Sequence, residues 1–368
     1  MKVVIAGGGT GGHLFPGIAV AEEFRATGGA DSVVFVGTDH GIEARIVPRE
    51  GYAFHHVRAE GIVGKSFVRK ARASLLFLLS LSDARRILKS LEPDIVIGVG
   101  GYASVGTVLA ANALGIPCMI IEQNAVPGLA NRFLGRWADA VAVTYQESIS
   151  FFPDEKTFLT GNPVRRGLLR RDSEAAYALF PLDREKFTVL IIGGSSGAQR
   201  INECMAEALQ YLVDLRQNIQ FLHQTGERDH KVVTESYRRL SFQGIVVPFI
   251  YQMAEAYTLA DLVVSRSGAT ALAEITAVGK ASILVPYPFA AAHHQEFNAR
   301  KLQDMGAARL ILQKDLDGKV LAREIRGIYQ DRGLREEMQR AARACGRVDA
   351  AERIVKIAVS LVKTRNRT

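Results

Sequence analysis

The feature that most limits the fold is a buried, β-branched run delivered straight into a glycine turn. It occurs at residues 3–6 before Gly7 and again at 188–192 before Gly193, 186 residues later. A strand that ends this way and feeds a helix opens a βαβ unit, because glycine lets the chain turn tightly beneath the helix N-terminus. After the first turn the patterns predict a helix over 16–27, strands over 32–36, 94–99, 117–121 and 140–143, and a helix near 105–114. After the second, strands are expected over 219–222, 245–247, 262–264 and 282–285. The expected class is therefore α/β: two Rossmann-like doubly wound domains, each a parallel sheet with helices on both faces, facing each other across a cleft. Stretch 160–165, where Pro163 disfavours helix at Asn162, is the expected hinge. This gives domains at 1–163 and 164–346, with a C-terminal helix within 347–368 returning to the first. Ligands of such sheets bind beyond the carboxyl ends of the strands, so chemistry is expected there.

A chain of 368 residues, 48% apolar and 23% charged, can bury two cores of ordinary size and is not disordered. The longest uncharged run, 95–121, holds five glycines, Asn112 and Pro117, and reads as strand, loop and helix rather than a membrane span. The N-terminus enters a strand and a glycine loop with no signal-like apolar stretch, so a cytosolic protein is expected. Cys118, Cys204 and Cys345 lie too far apart for metal-ligand spacing and are expected to be reduced, buried thiols. Of the net charge of +8, the segment from Arg58 to Lys89 carries +6, which asks for an anionic partner.

Three glycine turns could carry chemistry. The first, Gly7-Gly-Gly-Thr-Gly-Gly-His13, fits G-x-G-x-x-G and suits a phosphate or sugar. A nicotinamide site would need an acidic residue closing the second strand, and Asp39 comes late for it. The second, Gly193-Gly-Ser-Ser-Gly197, matches the serine-hydrolase elbow, with Asp261 and His293 following in suitable order, although a phosphate-cradling turn uses the same residues. The third, 265–274, ends on Glu274, which suits a ribose diol or merely complements the helix dipole. His293, His294, Gln295 and Asn298 form either a sugar-binding loop and helix start or a solvated turn.

The ordered segments GGGTGGHLFPG, GGYAS, EQN, TGNPVR, GGSSGA, SRSGATALAE and HQEFNA span nearly the whole chain. Together they resemble the MurG family of bacterial peptidoglycan glycosyltransferases. That resemblance implies the GT-B architecture and transfer of N-acetylglucosamine from UDP-N-acetylglucosamine to undecaprenyl-pyrophosphoryl-N-acetylmuramyl-pentapeptide, lipid I to lipid II. It implies donor binding by Arg165, Ser195, Ile250, Ala269, Thr270, Glu274 and Gln295 on the second domain. Thr10, Gly11, Gly12 and Asn124 would reach the sugar from the first, and His13, Tyr102, Glu122 and Gln123 would line the acceptor side. Two departures stand out: Ile121 precedes EQN where the family has histidine, and Ser104-Val-Gly-Thr107 replaces a proline-containing continuation.

Inverting transfer needs a base, in-line geometry and stabilisation of departing UDP. No Asp-x-Asp pair is placed to hold a nucleotide-bound metal, so neither metal nor cofactor is expected, and helix N-termini at Ser195 and Ala269 with Arg165 would stabilise UDP. His13 is the first candidate base and Glu122 the second, while a histidine closing a turn also commonly serves as a backbone hydrogen-bond partner. Rival readings are a UDP-sugar epimerase and a non-enzymatic nucleotide-binding module. No nucleic-acid partner is expected. Segment 64–89 sets Lys65, Arg69, Lys70 and Arg72 before the uncharged run 73–82, too short to span a bilayer. It reads either as a core helix or as a peripheral attachment to an anionic membrane surface through Phe67, Phe77 and neighbouring leucines. A lipid-linked acceptor favours the latter, at the cytoplasmic face of the bacterial inner membrane.

Overall fold

A computed structural model describes residues 1–59, 67–195, 197–290 and 293–365, the side chains of 67–77 excepted. The chain divides into two compact units, Met1–Arg165 with Arg347–Thr368, and Arg166–Gly346.

The first unit is built on strands β1 (Lys2–Gly7), β2 (Ser32–Gly37), β3 (Ala53–His56), β4 (Ile95–Gly100), β5 (Cys118–Glu122), β6 (Ala140–Val143) and β7 (Thr157–Leu159). They lie in the order β3-β2-β1-β4-β5-β6-β7 and all pair in parallel. Its helices are α1 (Gly11–Ala26), α2 (Glu43–Arg49), α3 (Phe67–Leu91), α4 (Tyr102–Ala113) and α5 (Leu129–Leu134). The central strands β1, β4 and β5 are mainly apolar, rich in Val and Ile in β1 and β4 and reading Cys-Met-Ile-Ile before Glu122 in β5, because a parallel strand covered by helices is buried on both faces.

The second unit repeats the plan with β8 (Phe187–Ile192), β9 (Ile219–Gln224), β10 (Gly244–Val247), β11 (Leu262–Ser265), β12 (Ala281–Leu284) and β13 (Ala308–Leu310). Their order is β10-β9-β8-β11-β12-β13, again parallel. Helices α6 (Ser173–Leu179), α7 (Gln199–Ala208), α8 (His230–Arg239), α9 (Met253–Leu259), α10 (Ala269–Val278), α11 (His294–Asp304), α12 (Gly318–Gln330) and α13 (Arg332–Cys345) complete it. The last helix, α14 (Ala350–Arg365), lies against α1 of the first unit.

Both sheets reverse their strand order next to the first strand, between β1 and β4 and between β8 and β11. These switch points are where doubly wound sheets bind ligands, and the glycine turns leave the sheets there.

Several expectations change. Helix α1 begins at Gly11, not at residue 16: Thr10 is the extended N-cap, and the N–H groups of His13 and Leu14 donate to its carbonyl. Pro16 therefore sits inside the helix, which forgoes one backbone bond, the one to Gly12. Helix α4 likewise starts at Tyr102, so Ser104-Val-Gly-Thr107 is helical rather than a loop. Gly106 brings α4 against Ser80 of α3, where a β-carbon would stand 2.5 Å from Oγ. Cys118 and Cys204 are buried thiols, which pushes their pKa values up to about 12 and about 11. Cys345 is only half-buried, its Sγ 3.4 Å from Sδ of Met305.

Lys65 and the side chains of Phe67, Arg69, Lys70, Arg72, Leu75, Leu76 and Phe77 lie outside the described residues. Further along α3, Ala84 and Leu88 are buried while Leu78 is exposed. Among the described residues, no helix is long and apolar enough to cross a membrane.

Candidate active site

In the first unit the turns after β1 and β4 meet at the switch point, where the N–H of Gly8 donates to the carbonyl of Gly100 at 3.3 Å. His13 belongs to the first turn of α1 rather than closing the loop. Its Nδ1 lies 3.2 Å from the carbonyl oxygen of Gly8. A carbonyl only accepts, so Nδ1 carries the proton and Nε2 is the basic nitrogen of the neutral ring. The ring fits because residue 100 has no side chain: a β-carbon there would stand 2.7 Å from Cδ2 of His13. The two readings of His13, backbone partner and base, are thus compatible, one at each nitrogen. Thr10 and Gly12 are exposed beside it, Gly11 is half-buried, and Tyr102 opens α4 half exposed.

Glu122 ends β5 with its carboxylate buried. It accepts four hydrogen bonds, from Asn124 N (2.8 Å), Asn124 Nδ2 (3.2 Å), Gly128 N (3.2 Å) and Asn131 Nδ2 (2.9 Å). Burial raises its pKa while these donors oppose the rise. With these four bonds the carboxylate organises the turn 123–131 and orients Asn124. Asn131, which supplies one of those donors, escaped the sequence reading because an isolated asparagine within a helix carries no motif. Gln123 is also buried, its Nε2 donating to the carbonyl of Val99 at 2.9 Å. Ile121, where the resembling family has histidine, is buried in β5. Arg165, expected with the donor residues, closes the first unit with its guanidinium 4.4 Å above the ring of Phe15.

In the second unit Ser195 lies in the turn between β8 and α7. Gln224, at the end of β9, ties that turn to the next one: Nε2 donates to Gly194 O at 2.8 Å, and Oε1 accepts from Ile250 N at 2.8 Å. Ala269 and Thr270 begin α10, and Glu274 is its sixth residue. The helix-dipole reading of Glu274 loses force there, since that effect fades within the first turn. Its carboxylate instead accepts from the hydroxyl of Tyr257 on α9 at 3.3 Å. Gln295 lies in the first turn of α11, with Oε1 accepting from Tyr287 N at 3.0 Å and its carbonyl from Ser267 Oγ at 2.8 Å. His293 precedes that helix in a left-handed conformation and is exposed.

The hydrolase elbow fails on geometry. Asp261 precedes β11 and accepts from Thr188 N at 2.8 Å near the start of β8, whereas Ser195 follows the end of that strand. At about 3.3 Å per residue, a six-residue strand separates them by roughly 20 Å.

Two family models match: the glycosyltransferase family 28 N-terminal domain over residues 3–143 and its C-terminal domain over 188–354. A UDP-N-acetylglucosamine--N-acetylmuramyl-(pentapeptide) pyrophosphoryl-undecaprenol N-acetylglucosamine transferase of Thermodesulfovibrio yellowstonii is 51% identical over 365 residues, covering 99% of this chain and 100% of the relative. The transferase of the same name from Geobacter sulfurreducens is 47% identical, covering 96% and 97%. Among solved structures, MurG of Acinetobacter baumannii superposes with a TM-score of 0.70 at 30% identity, covering 97% and 98%. A UDP-GlcNAc 2-epimerase from Neisseria meningitidis also reaches 0.70, covering 98% and 100%, but at 14% identity it shares the fold alone. The chain belongs to glycosyltransferase family 28 and, within it, to the MurG family, with the two-domain GT-B α/β fold.

Proposed function

We propose that this protein transfers N-acetylglucosamine from UDP-N-acetylglucosamine to the lipid-linked N-acetylmuramyl-pentapeptide, making lipid II from lipid I for peptidoglycan synthesis. The observation that carries the reading is 51% identity to a transferase of that name along 99% of this chain. The first unit takes the acceptor and the second the nucleotide sugar.

In this reading the acceptor hydroxyl attacks the anomeric carbon, the bond from that carbon to the UDP oxygen breaks, and UDP departs with the electron pair. Nε2 of His13 accepts the hydroxyl proton, the role its fixed tautomer suits. Glu122 is a positioning residue that holds Asn124 toward the sugar, with Thr10, Gly11 and Gly12 beside it. Glu274 accepts the ribose hydroxyls, and Ile250 offers its backbone to the base. The N-terminal ends of α7 and α10, near Ser195, Ala269 and Thr270, face the diphosphate, with Arg165 as a cation and Gln295 on the sugar. Tyr102 and Gln123 stand on the acceptor side. The protein works as a peripheral enzyme on an anionic membrane at the cytoplasmic face, where its lipid-linked acceptor is anchored.

Release of UDP measured with and without the lipid acceptor separates this from the epimerase reading. A transferase releases UDP in proportion to acceptor consumed, whereas an epimerase converts the UDP-sugar to its isomer with no acceptor present.

A further inference from the structure

The first glycine turn contains a carboxylate of the protein itself. Glu43, the first residue of α2, is 1% exposed. Its Oε2 accepts from Gly9 N at 2.7 Å, and its Oε1 from Thr38 N at 2.9 Å and Thr38 Oγ at 2.7 Å. Three glycines leave room for it: a β-carbon would stand 2.3 Å from Cδ of Glu43 at Gly8, 2.6 Å from Cγ at Gly37 and 2.1 Å from Oε2 at Gly41. At Gly8, whose φ of +143° already favours glycine, the space a side chain would take is filled by this carboxylate. The backbone donor at Gly9, which such turns commonly offer to a phosphate, is held by an internal anion.

The same clamp reaches His13. Gly9 is fixed by Glu43, and the adjoining carbonyl of Gly8 receives the Nδ1 proton of His13. We propose that Glu43 is a positioning residue: an internal anion that sets the first glycine turn and, through Gly8, fixes the tautomer and direction of the His13 ring. The catalytic consequence rests on the proposed function, in which His13 is the base; the positioning itself does not.

The test is Glu43→Gln. Either orientation of the new amide sets an NH2 group against a donor, at Gly9 or at Thr38, so the clamp opens with little change in volume. In 15N-histidine-labelled protein, wild type should show His13 as a single tautomer protonated at Nδ1, and folded Glu43→Gln should show the averaged signals of a mobile ring. Turnover should fall about 10- to 100-fold, as misplacement of a reacting group by a fraction of an ångström to 1 Å can produce, with KM for UDP-N-acetylglucosamine within about twofold of wild type. Should Glu43→Gln fail to fold, Glu43→Asp keeps the charge while falling one methylene short of Gly9, and the same spectrum is read. Retention of the wild-type His13 signature in a folded variant overturns the proposal. An averaged ring with unchanged turnover upholds the positioning and removes His13 as the base.

Discussion

The hydroxyl of Tyr257 donates to Oε2 of Glu274 across 3.3 Å, joining α9 to α10, with Tyr257 1% exposed and Glu274 7% exposed. A carboxylate so close to full burial keeps its direction only if the protein supplies donors to it. The proposed ribose contact is therefore held from behind by a phenol.

Glu274→Ala should weaken UDP-N-acetylglucosamine binding by about 10- to 100-fold per lost hydrogen bond, since bonds to a charged acceptor are each worth roughly 1.5–3 kcal/mol. Tyr257→Phe should cost less, about three- to tenfold, because it leaves the carboxylate in place. Titration calorimetry on folded proteins measures both. Unchanged affinity in Glu274→Ala removes the ribose assignment.

His13→Ala should lower turnover by about 100-fold or more while UDP affinity stays near wild type, the pattern of a group that acts in proton transfer. Rapid-quench turnover and UDP titration on the same preparation give the two numbers. Near-normal turnover would leave the acceptor hydroxyl without its proposed base.

A separate prediction concerns acid stability. His223 is fully buried in β9, with Nε2 donating to Asn202 Oδ1 at 3.0 Å and Nδ1 accepting from the Tyr237 hydroxyl at 3.2 Å. Burial lowers its pKa from 6.5 to about 3. Between those values the unfolded chain binds a proton that the folded unit refuses. Stability from this group is thus complete above pH 6.5 and falls on acidification, by up to about 1.4 kcal/mol per pH unit. Urea unfolding at pH 7, 6 and 5 should show that slope in wild type and a flatter one in His223→Gln; equal slopes would contradict it.

Attachment to membrane is checked by co-sedimentation with vesicles. Wild type should bind vesicles containing anionic lipid more than neutral ones, because each cation near the surface contributes about 1 kcal/mol. Replacing Phe67, Arg69, Lys70 and Arg72 by Ser should reduce that binding. Equal binding by both proteins, or none by either, would return α3 to a purely internal role.

Sequence pattern carried the central strands because they are buried on both faces, so β1, β4, β5, β8, β11 and β12 appear as mainly apolar runs, and β9 shows through Ile219, Phe221 and Leu222 although Gln220, His223 and Gln224 are buried in it. Three strands had no such run. β3, β7 and β13 each have three or four residues, stand at the sheet edges and are partly exposed, and their short segments resemble loop. The start of α1 was misjudged because glycine and proline ordinarily interrupt helices, whereas Gly11 and Gly12 are helical and Pro16 is accommodated within the helix. At the site, the glycine turns and the residues beside them were legible as motifs. The burial of Glu122 within its own turn and of Glu43 beneath Gly9 was not, since a carboxylate's partners 6 or 34 residues away leave no local pattern.

The most direct measurement is transfer itself: UDP-N-acetylglucosamine radiolabelled in the sugar, incubated with undecaprenyl-pyrophosphoryl-N-acetylmuramyl-pentapeptide, with label followed into the lipid fraction. The account predicts label in a lipid-linked disaccharide for wild type, with about 100-fold slower incorporation by His13→Ala. Tight binding of the UDP-sugar with no label reaching the lipid, or conversion of the UDP-sugar without acceptor, would contradict it.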